Sequence, residues 1–347
     1  MEATIETELS SVYVKKGAIF SLKEVKHKHW PKVEKVAVVI DQTVYELYQD
    51  LLNPIFNEAN DHYYILPLQV SENLKTLEGA MLVYQFLNTY HFTRQDAILA
   101  VGGGVIGDLA GFVAATYMRG IFFAQMPTTL LSQVDSSIGG KNALNVAEAK
   151  NNIGTFYQPD FIICDTQFLS TLSRDAFYSG MLEAVKIALI SDAVLWEMIK
   201  EKNKLESIII RAIKDKFTMI QGDVCDHHKR MNLNFGHTLG HAFEIHSQFV
   251  LDHGIAVGIG MLEILKIAYH AGWTTSLKPY YELVQWMEKE KLPTTYHYDT
   301  QQLMESIKHD KKGESQTVTL ILTNQVGTCF QKKVTYKALE QQLRGQS

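Results

Sequence analysis

Two histidines spaced four residues apart mark the stretch of this chain that is best suited to chemistry. They are His237 and His241, within a segment that runs from Leu233 to Glu244. If the segment is helical, both imidazoles project from one face, one turn apart, and could bind one divalent ion. A catalytic zinc usually takes three protein ligands and leaves one position open, so His253 and Glu183 are the further candidates. The same spacing also fits surface histidines that bind only water or backbone.

A glycine directly precedes each of the two histidines. Gly236 and Gly240, if both lie inside a helix, each cost about 1 kcal/mol relative to alanine. Their presence predicts that a backbone or a ligand packs closely against this face.

A second candidate site is glycine-rich and follows a predicted strand. The strand, residues 97–101, leads into Gly102 to Asp108 with the pattern G-x-G-x-x-G, before a helix predicted over 109–118. In this context backbone amides approach the pyrophosphate of a dinucleotide. No acid follows at the spacing usual for the ribose, so Asp41, after the strand 36–40, is the predicted ribose ligand in a Rossmann-like fold with a different strand order. A tight turn with close helix packing is the alternative.

The elements that must position these residues differ between the two halves of the chain. Strands near 36–40, 63–67, 97–101 and 161–165 alternate with helices such as 74–90, which predicts βαβ units and a parallel sheet. From Tyr178 to Ala271 the apolar spacing is helical, and a helix over 278–291 and a hairpin formed by 316–322 and 328–334 follow. Residues 133–142 are expected to form a binding loop, and Lys23 to Lys35 a solvated connector.

We therefore expect an α/β N-terminal domain and a mostly α-helical C-terminal domain. The first, residues 1–174, is Rossmann-like and NAD-binding, and the second, residues 175–347, binds metal and substrate. A net charge of −5 over 347 residues argues against nucleic acid as a partner. Three cysteines without clustered spacing, no signal pattern and no long apolar run indicate a cytoplasmic protein that is not membrane-bound.

Taken in order, several segments resemble the 3-dehydroquinate synthase family, a branch of the sugar phosphate cyclases. The matching segments are Gly102 to Asp108, residues 127–137, Gly139 to Lys141, Lys150 with Asn151, Glu183 with Lys186, Leu233 to His241, His253 with Gly254, and Asp310 to Lys312. The resemblance implies conversion of 3-deoxy-D-arabino-heptulosonate 7-phosphate to 3-dehydroquinate and phosphate in the shikimate pathway. It also implies the chemistry: transient oxidation by NAD, phosphate elimination, re-reduction and aldol closure, with one divalent metal, zinc or alternatively cobalt.

The resemblance also implies roles for individual residues. The metal ligands are Glu183, His237 and His253, whereas His241 assists proton movement. Catalytic roles fall to His241, Lys186, Asp135 and Asn234, and the substrate-binding residues are Lys141, Asn151, Lys186, Lys216, Arg230, Asn234, Lys312 and Arg119. The NAD-binding residues are Asp41, Glu72, Lys75, Gly103, Gly104, Val105, Ile106, Gly107, Asp108, Thr128, Thr129, Lys141, Lys150, Phe168 and Thr171.

Arg119 matches a family arginine that reaches into the partner subunit, which implies a homodimer. Some positions depart from the family pattern, with local loop geometry as the expected consequence: Asp226, His228, Ile255 and Ala149. Three other interpretations stay open: another sugar phosphate cyclase, a metal-dependent polyol dehydrogenase of the glycerol dehydrogenase type, or a non-catalytic NAD-binding protein.

Overall fold

In a computed structural model, the chain is described for residues 4–57, 62–146, 149–223, 228–248, 250–310 and 316–345. It divides into two units, Met1–Leu172 and Ser173–Ser347. None of the helices in these ranges combines the length and the apolar character that crossing a membrane requires.

The first unit is built on a twisted, mostly parallel sheet. Its strands within the described ranges are β1 (Thr4–Glu6), β2 (Ser11–Lys15), β3 (Lys35–Asp41), β4 (His62–Leu68), β5 (Ala97–Gly102), β6 (Phe122–Pro127) and β9 (Phe161–Asp165), in the order β1-β2-β9-β6-β5-β3-β4. Among these seven strands, as far as the structure describes them, β1 alone pairs antiparallel, with β2. The predicted α/β fold class is confirmed for this half, and the strand order differs from the common dinucleotide-binding order, as expected.

Helices cover both faces of this sheet because its strands are apolar on both sides. In β3, Val36, Val38 and Ile40 pack into one core, and Ala37 and Val39 into the other. This alternation is the two-residue period of a strand. The covering helices are α1 (Leu22–His29), α2 (Gln42–Phe56), α3 (Leu77–Thr89) and α4 (Gly104–Thr116).

Three expectations for this half were wrong in detail. The predicted connector over Lys23 to Lys35 contains most of α1, and Trp30 is buried and donates its indole N–H to Asp160 over 2.8 Å. Helix α4 begins at Gly104, five residues before the predicted start, because the glycines themselves form its first turn. Residues 133–142 form no open loop: a π-helical turn, Ser132–Ser136, leads to the hairpin of β7 (Lys141–Val146) and β8 (Ala149–Phe156).

The second unit is mostly helical, as predicted. Its helices within the described ranges are α5 (Arg174–Ser191), α6 (Ala193–Lys200), α7 (Leu205–Ile220), α8 (His237–His246), α9 (His253–His270), α10 (Lys278–Lys289), α11 (Thr300–Asp310) and α12 (Tyr336–Arg344). The predicted hairpin is β10 (Thr317–Leu322) with β11 (Phe330–Thr335). Helices α5 and α9 are buried on almost every side, so they form the centre of this unit.

Helices α8 and α9 approach each other closely enough for their backbones to touch. A Cβ added to Gly240 would lie 3.0 Å from the Cα of Val257, and one added to Gly260 would lie 2.3 Å from the carbonyl oxygen of Gly236. The sequence therefore correctly indicated a close backbone neighbour. Close packing also holds at Gly236, where an added Cβ would lie 2.8 Å from the carbonyl oxygen of Val257, but this residue precedes α8 instead of lying inside it and has a left-handed φ of 77°, a conformation that favours glycine.

Candidate active site

Two groups of predicted NAD-binding residues in the first unit lie at the carboxyl ends of parallel strands. From β3 the chain passes to β4 on one side, and from β5 it passes to β6 on the other, so the strand order reverses between β3 and β5. Open α/β sheets bind ligands outside such a reversal. Asp41 ends β3 and Gly102 ends β5, so the two candidate groups for a dinucleotide stand at this position.

The glycine-rich turn joins β5 to the first turn of α4. Gly103 precedes α4, and Gly107 donates the first helical hydrogen bond, to Gly103. The amides of Gly104, Val105 and Ile106 lie in the first turn of α4, where backbone N–H groups have no acceptor within the helix. Such N–H groups are well placed to bind an anion. The side chain of Ile106 is buried in the core, so only its backbone is available.

Close packing explains why two of these positions are glycine. A Cβ on Gly103 would lie 3.2 Å from Cγ2 of Thr129, and one on Gly107 would lie 2.7 Å from Oε1 of Gln125. Gly107 thus serves helix–strand packing, whereas Gly103 stands beside the segment that follows β6 and carries Thr128 and Thr129.

A buried lysine ties the start of α4 to the β7–β8 hairpin. The ammonium of Lys75 lies 2.5 Å from a carboxylate oxygen of Asp108 and 2.5 Å from Oδ1 of Asn151. Of the three, Lys75 and Asp108 were predicted NAD ligands and Asn151 a substrate ligand. Because Lys75 donates to Oδ1 of Asn151, the side-chain amide nitrogen of Asn151 is the atom that could donate a hydrogen bond to a ligand.

The other predicted residues of the first unit are spread over several elements. Phe168 is buried against Tyr48, whose hydroxyl lies 2.9 Å from Oγ1 of Thr171. The side chains of Lys141, Lys150 and Arg119 are exposed, and Asp135 lies in the π-helical turn. Glu72 falls in the 3₁₀ turn Glu72–Leu74, and its side chain is outside what the structure describes.

A buried carboxylate stands at the centre of the candidate metal site in the second unit. Glu183 of α5 is 0% exposed, and its Oε2 accepts a hydrogen bond from Lys186, which is also buried. Its Oε1 has no hydrogen-bond partner within the part of the chain that the structure describes. A buried carboxylate oxygen of this kind is costly unless something else neutralises it.

Two imidazoles face this carboxylate oxygen. Nε2 of His237 lies 3.7 Å from Oε1 of Glu183, and Nε2 of His253 lies 3.6 Å from it. A tetrahedral zinc with bonds of about 2.0–2.2 Å holds its ligand atoms about 3.4 Å apart, so the separations fit an ion between the three atoms. Because Oε1 of Glu183 has no hydrogen-bond partner among the described residues, these three side chains suit a divalent cation.

Hydrogen bonds fix which nitrogen each histidine presents. Nδ1 of His237 lies 3.1 Å from the carbonyl oxygen of Phe235, and Nδ1 of His253 lies 3.0 Å from Oε2 of Glu244. Both partners can only accept, so each Nδ1 carries the proton. Each Nε2 is then the atom available to a metal, the usual second contact of metal-binding histidines.

The charges around Glu183 shift the pKa values of all three groups. Burial alone would raise the pKa of Glu183, but Lys186 and the two histidines hold it well below its usual value. Burial and the charge of Lys186 lower the pKa of His237. Burial also disfavours the charged form of His253, yet the carboxylate of Glu183 facing it and the hydrogen bond to Glu244 raise its pKa to about 10. Without a metal, a proton on His253 balances the carboxylates, and a metal ion would replace that proton.

His241 also belongs to this group of side chains. A ligand nitrogen of His241 lies within 4.8 Å of those of His237 and His253. Its ring centre is 5.3 Å from that of His237 and 5.7 Å from that of His253. The spacing of four residues on α8 therefore brings the two histidines together, and His241 stands beside the three candidate ligands.

Buried cations accompany the metal site. Lys186 on α5, Lys216 on α7 and Arg230 in the 3₁₀ turn Lys229–Asn234 are each less than 5% exposed, and these three elements pack on one another. Buried cations are rare and require polar or anionic partners, and Lys186 has one in Glu183. Asn234 ends the same turn and is exposed, whereas Lys312 lies outside the described residues.

Sequence reasoning missed Glu244. It is nine residues from His253, across a helix end and a turn, and the spacing alone did not connect them. The available signal was its place on α8, one turn beyond Gly240, on the side that packs on α9.

Comparison with known proteins covers nearly the whole chain. A model of the N-terminal region of 3-dehydroquinate synthase matches residues 65–179, and a model of its C-terminal region matches residues 180–313. A protein of Enterococcus faecalis named 3-dehydroquinate synthase is 38% identical over 336 residues, which is 94% of this chain and 93% of that protein.

Solved structures with the same fold are more distant in sequence. A 2-epi-5-epi-valiolone synthase from Streptomyces hygroscopicus with bound NAD+ and Zn2+ has a TM-score of 0.87 and 23% identity, covering 99% of this chain and 98% of that one. A 2-deoxy-scyllo-inosose synthase complexed with carbaglucose-6-phosphate, NAD+ and Co2+ has a TM-score of 0.86 and 24% identity, covering 99% of this chain and 100% of that one. At these identities the likeness establishes the two-part fold.

Proposed function

Because the chain belongs to the 3-dehydroquinate synthase family, we propose that it converts 3-deoxy-D-arabino-heptulosonate 7-phosphate to 3-dehydroquinate and phosphate. The enzyme is then a phosphorus–oxygen lyase of the shikimate pathway. Beside the family, the observation that carries the proposal is Oε1 of Glu183, which faces Nε2 of His237 and of His253 and has no hydrogen-bond partner within the described ranges.

We propose NAD and one divalent metal, zinc or cobalt, as the cofactors. Glu183, His237 and His253 would hold the metal, and the amides at the start of α4, together with Asp41, would hold NAD. When bound, NAD supplies a reversible hydride acceptor and the metal supplies a Lewis acid for substrate hydroxyl oxygens. The NAD+ and metal ions in the two related structures support both assignments.

The buried cations of the second unit would bind the anionic substrate. A seven-carbon sugar acid phosphate carries about three negative charges, and Lys186, Lys216 and Arg230 supply fixed positive charge in a poorly hydrated region, where electrostatic attraction is strong. Asn234 would donate hydrogen bonds to substrate hydroxyls, and Lys312 is proposed as a further anion contact from its motif. Lys186 also neutralises Glu183, so one side chain would serve both the metal ligand and the substrate.

His241 is the proposed proton carrier. Its imidazole stands beside His237 and His253, and an imidazole has one nitrogen that can accept a proton and another that can donate one. Elimination of phosphate and closure of the ring both require proton movement at carbon or oxygen atoms, which is the work of such a group. Asp135, Lys141 and Asn151 of the first unit are proposed substrate contacts on the strength of their motifs.

A homodimer in the cytoplasm completes the proposal. Arg119 is exposed, has a φ of 67° and lies near exposed Met118 and Phe122. An exposed arginine among exposed apolar side chains is typical of a protein contact. This surface supports a second copy of the chain as the partner into which Arg119 reaches.

Replacing Asp41 with asparagine tests the proposed ribose contact. The Asp41 side chain caps α2 by accepting from the amide of Thr43 over 2.8 Å, and asparagine is an equally good cap. We expect D41N to keep the stability of the wild type but to raise the Kd for NAD about tenfold, because a charge-assisted hydrogen bond is lost. D41A should weaken NAD binding similarly and lower stability by about 1 kcal/mol as well. Calorimetric titration with NAD and thermal unfolding measure the two effects, and unchanged NAD affinity in D41N would remove Asp41 from the site.

Substrate preference tests the proposed function against its nearest relatives. Sedoheptulose 7-phosphate is the comparison substrate, because a cyclase that makes a cyclitol would turn it over. We expect phosphate release from the heptulosonate phosphate and at least about a hundredfold lower kcat/KM with sedoheptulose 7-phosphate, because that sugar lacks the carboxylate that the cationic side chains would bind. The opposite preference would assign the chain to another cyclase reaction.

A further inference from the structure

The carboxylate of Glu244 contacts a proposed metal ligand, and no role in the reaction has yet been given to it. Its Oε2 lies 3.0 Å from Nδ1 of His253, and the residue is only 8% exposed. A charged carboxylate is rarely so buried unless it has a specific partner. The contact therefore calls for an explanation beyond a surface ion pair.

The packing of α8 on α9 sets this contact. The two helices run antiparallel, and Gly236 faces Met261, Gly240 faces Val257, and Glu244 faces His253. Each step of four residues along α8 thus matches a step of four residues back along α9. The contacts at Gly236 and Gly240 fix the register because they bring the backbones of the two helices together. One turn further along, the same register places the Glu244 carboxylate opposite the His253 imidazole. The turn between the helices is held as well, because Ser247 accepts from the amide of Leu251.

The two histidines differ in what orients them. His237 donates to a neutral carbonyl, that of Phe235, within its own segment. His253 is, like His237, the first residue of its helix, but its donor contact is the charged Glu244 carboxylate on the neighbouring helix. A carboxylate on the far nitrogen fixes the tautomer, aims Nε2 and makes that nitrogen a stronger donor to a cation.

We propose that Glu244 is a positioning residue, which holds His253 with Nε2 directed at the metal position and strengthens it as a ligand. The proposal rests on the metal site of the proposed function. The register of α8 against α9 then serves metal binding, because this register brings Glu244 to His253. Glu244 touches neither substrate nor cofactor in this account and acts through His253.

The test measures metal binding directly in E244Q and E244A. Glutamine keeps the shape and one acceptor oxygen but removes the charge, and alanine removes both. We expect the Kd for Zn2+, measured by competition with a chromogenic chelator, to rise about tenfold in E244Q and about a hundredfold in E244A. The Co2+-loaded E244A should show an altered visible absorption spectrum, because one ligand is no longer held in place.

E263Q is the matched control. Glu263 lies on α9 and accepts from the hydroxyl of Tyr298 over 3.0 Å, away from the three proposed ligands. We expect E263Q to keep wild-type Kd for Zn2+ and the wild-type Co2+ spectrum, with all variants folded by circular dichroism. If E244Q and E244A also bind Zn2+ and Co2+ as the wild type does, Glu244 is not a positioning residue, although the metal site stands. If the wild type itself binds neither ion, the metal site and this inference both fail.

Discussion

Replacing Glu183 with glutamine is expected to lower kcat by at least about a thousandfold and to abolish tight metal binding. The side chain keeps its shape but loses the charge that faces Nε2 of His237 and of His253. A Lewis acid contributes several kcal/mol to a transition state, and each 1.36 kcal/mol is a factor of about ten in rate. Phosphate release under saturating substrate and metal analysis of the purified variant measure the two losses.

Stability provides a second readout for the same variant. The Lys186 ammonium is buried beside Glu183, so E183Q removes the negative charge of this buried ion pair. Removing one partner of a buried pair costs about 3–5 kcal/mol, and the glutamine oxygen keeps E183Q near the lower figure. E282Q is the control, because Glu282 accepts from the indole of Trp196 in the same unit without facing a histidine pair. An E183Q protein that retained metal and near-normal kcat would remove Glu183 from the ligand set.

The second large effect is expected from Gly260→Ala. Its new Cβ would lie 2.3 Å from the carbonyl oxygen of Gly236 and 2.8 Å from the amide nitrogen of Gly240, and backbone atoms cannot turn aside. We expect α8 and α9 to separate, which should lower the free energy of unfolding by about 3 kcal/mol. Metal affinity should fall with it, because His237 lies at the start of α8 and His253 at the start of α9. Denaturant unfolding and Zn2+ titration measure the two losses.

Gly258→Ala is the control for Gly260→Ala. It tests whether the loss comes from the backbone contact at Gly260 or from any glycine substitution in α9. Its Cβ would meet side-chain atoms, Leu182 at 2.9 Å and Met287 at 3.2 Å, which can adjust. Replacing a helical glycine with alanine also gains about 1 kcal/mol, so the net change in G258A should be near zero. Equal losses in G258A and G260A would contradict the argument that the α8–α9 backbone contact builds the site.

The sequence predicted those parts of the fold that depend on local pattern. The strands after Lys35 and Ala97 are continuous apolar runs between polar ends, and such runs are typical of strands buried on both faces. The spacing of His237 and His241 predicted one helical face, and α8 confirms it. The glycines beside them predicted a close neighbour, but only the structure identifies that neighbour as the backbone of α9.

The parts that the sequence did not predict depend on contacts between distant residues. Helix α1 has a polar, lysine-rich sequence and still buries Val25, because Trp30 and the sheet cover it. The β7–β8 hairpin begins at Lys141, in a polar, glycine-containing segment without a strand-like pattern. The contact of Glu244 with His253 arises from the register of two helices, which no local period encodes.

The stoichiometry of phosphate release against NADH formation tests the central claim most directly. The wild type and H253A would each be given 3-deoxy-D-arabino-heptulosonate 7-phosphate, with NAD at a small fraction of the substrate concentration. Each reaction would be run with and without a chelator. H246A is the control variant, because the native His246 imidazole contacts Tyr296. We expect one phosphate and one dehydroquinate for each substrate without accumulated NADH, and loss of both products on chelation and in H253A. NADH formation from a polyol without phosphate release would contradict the account and assign the site to a dehydrogenase.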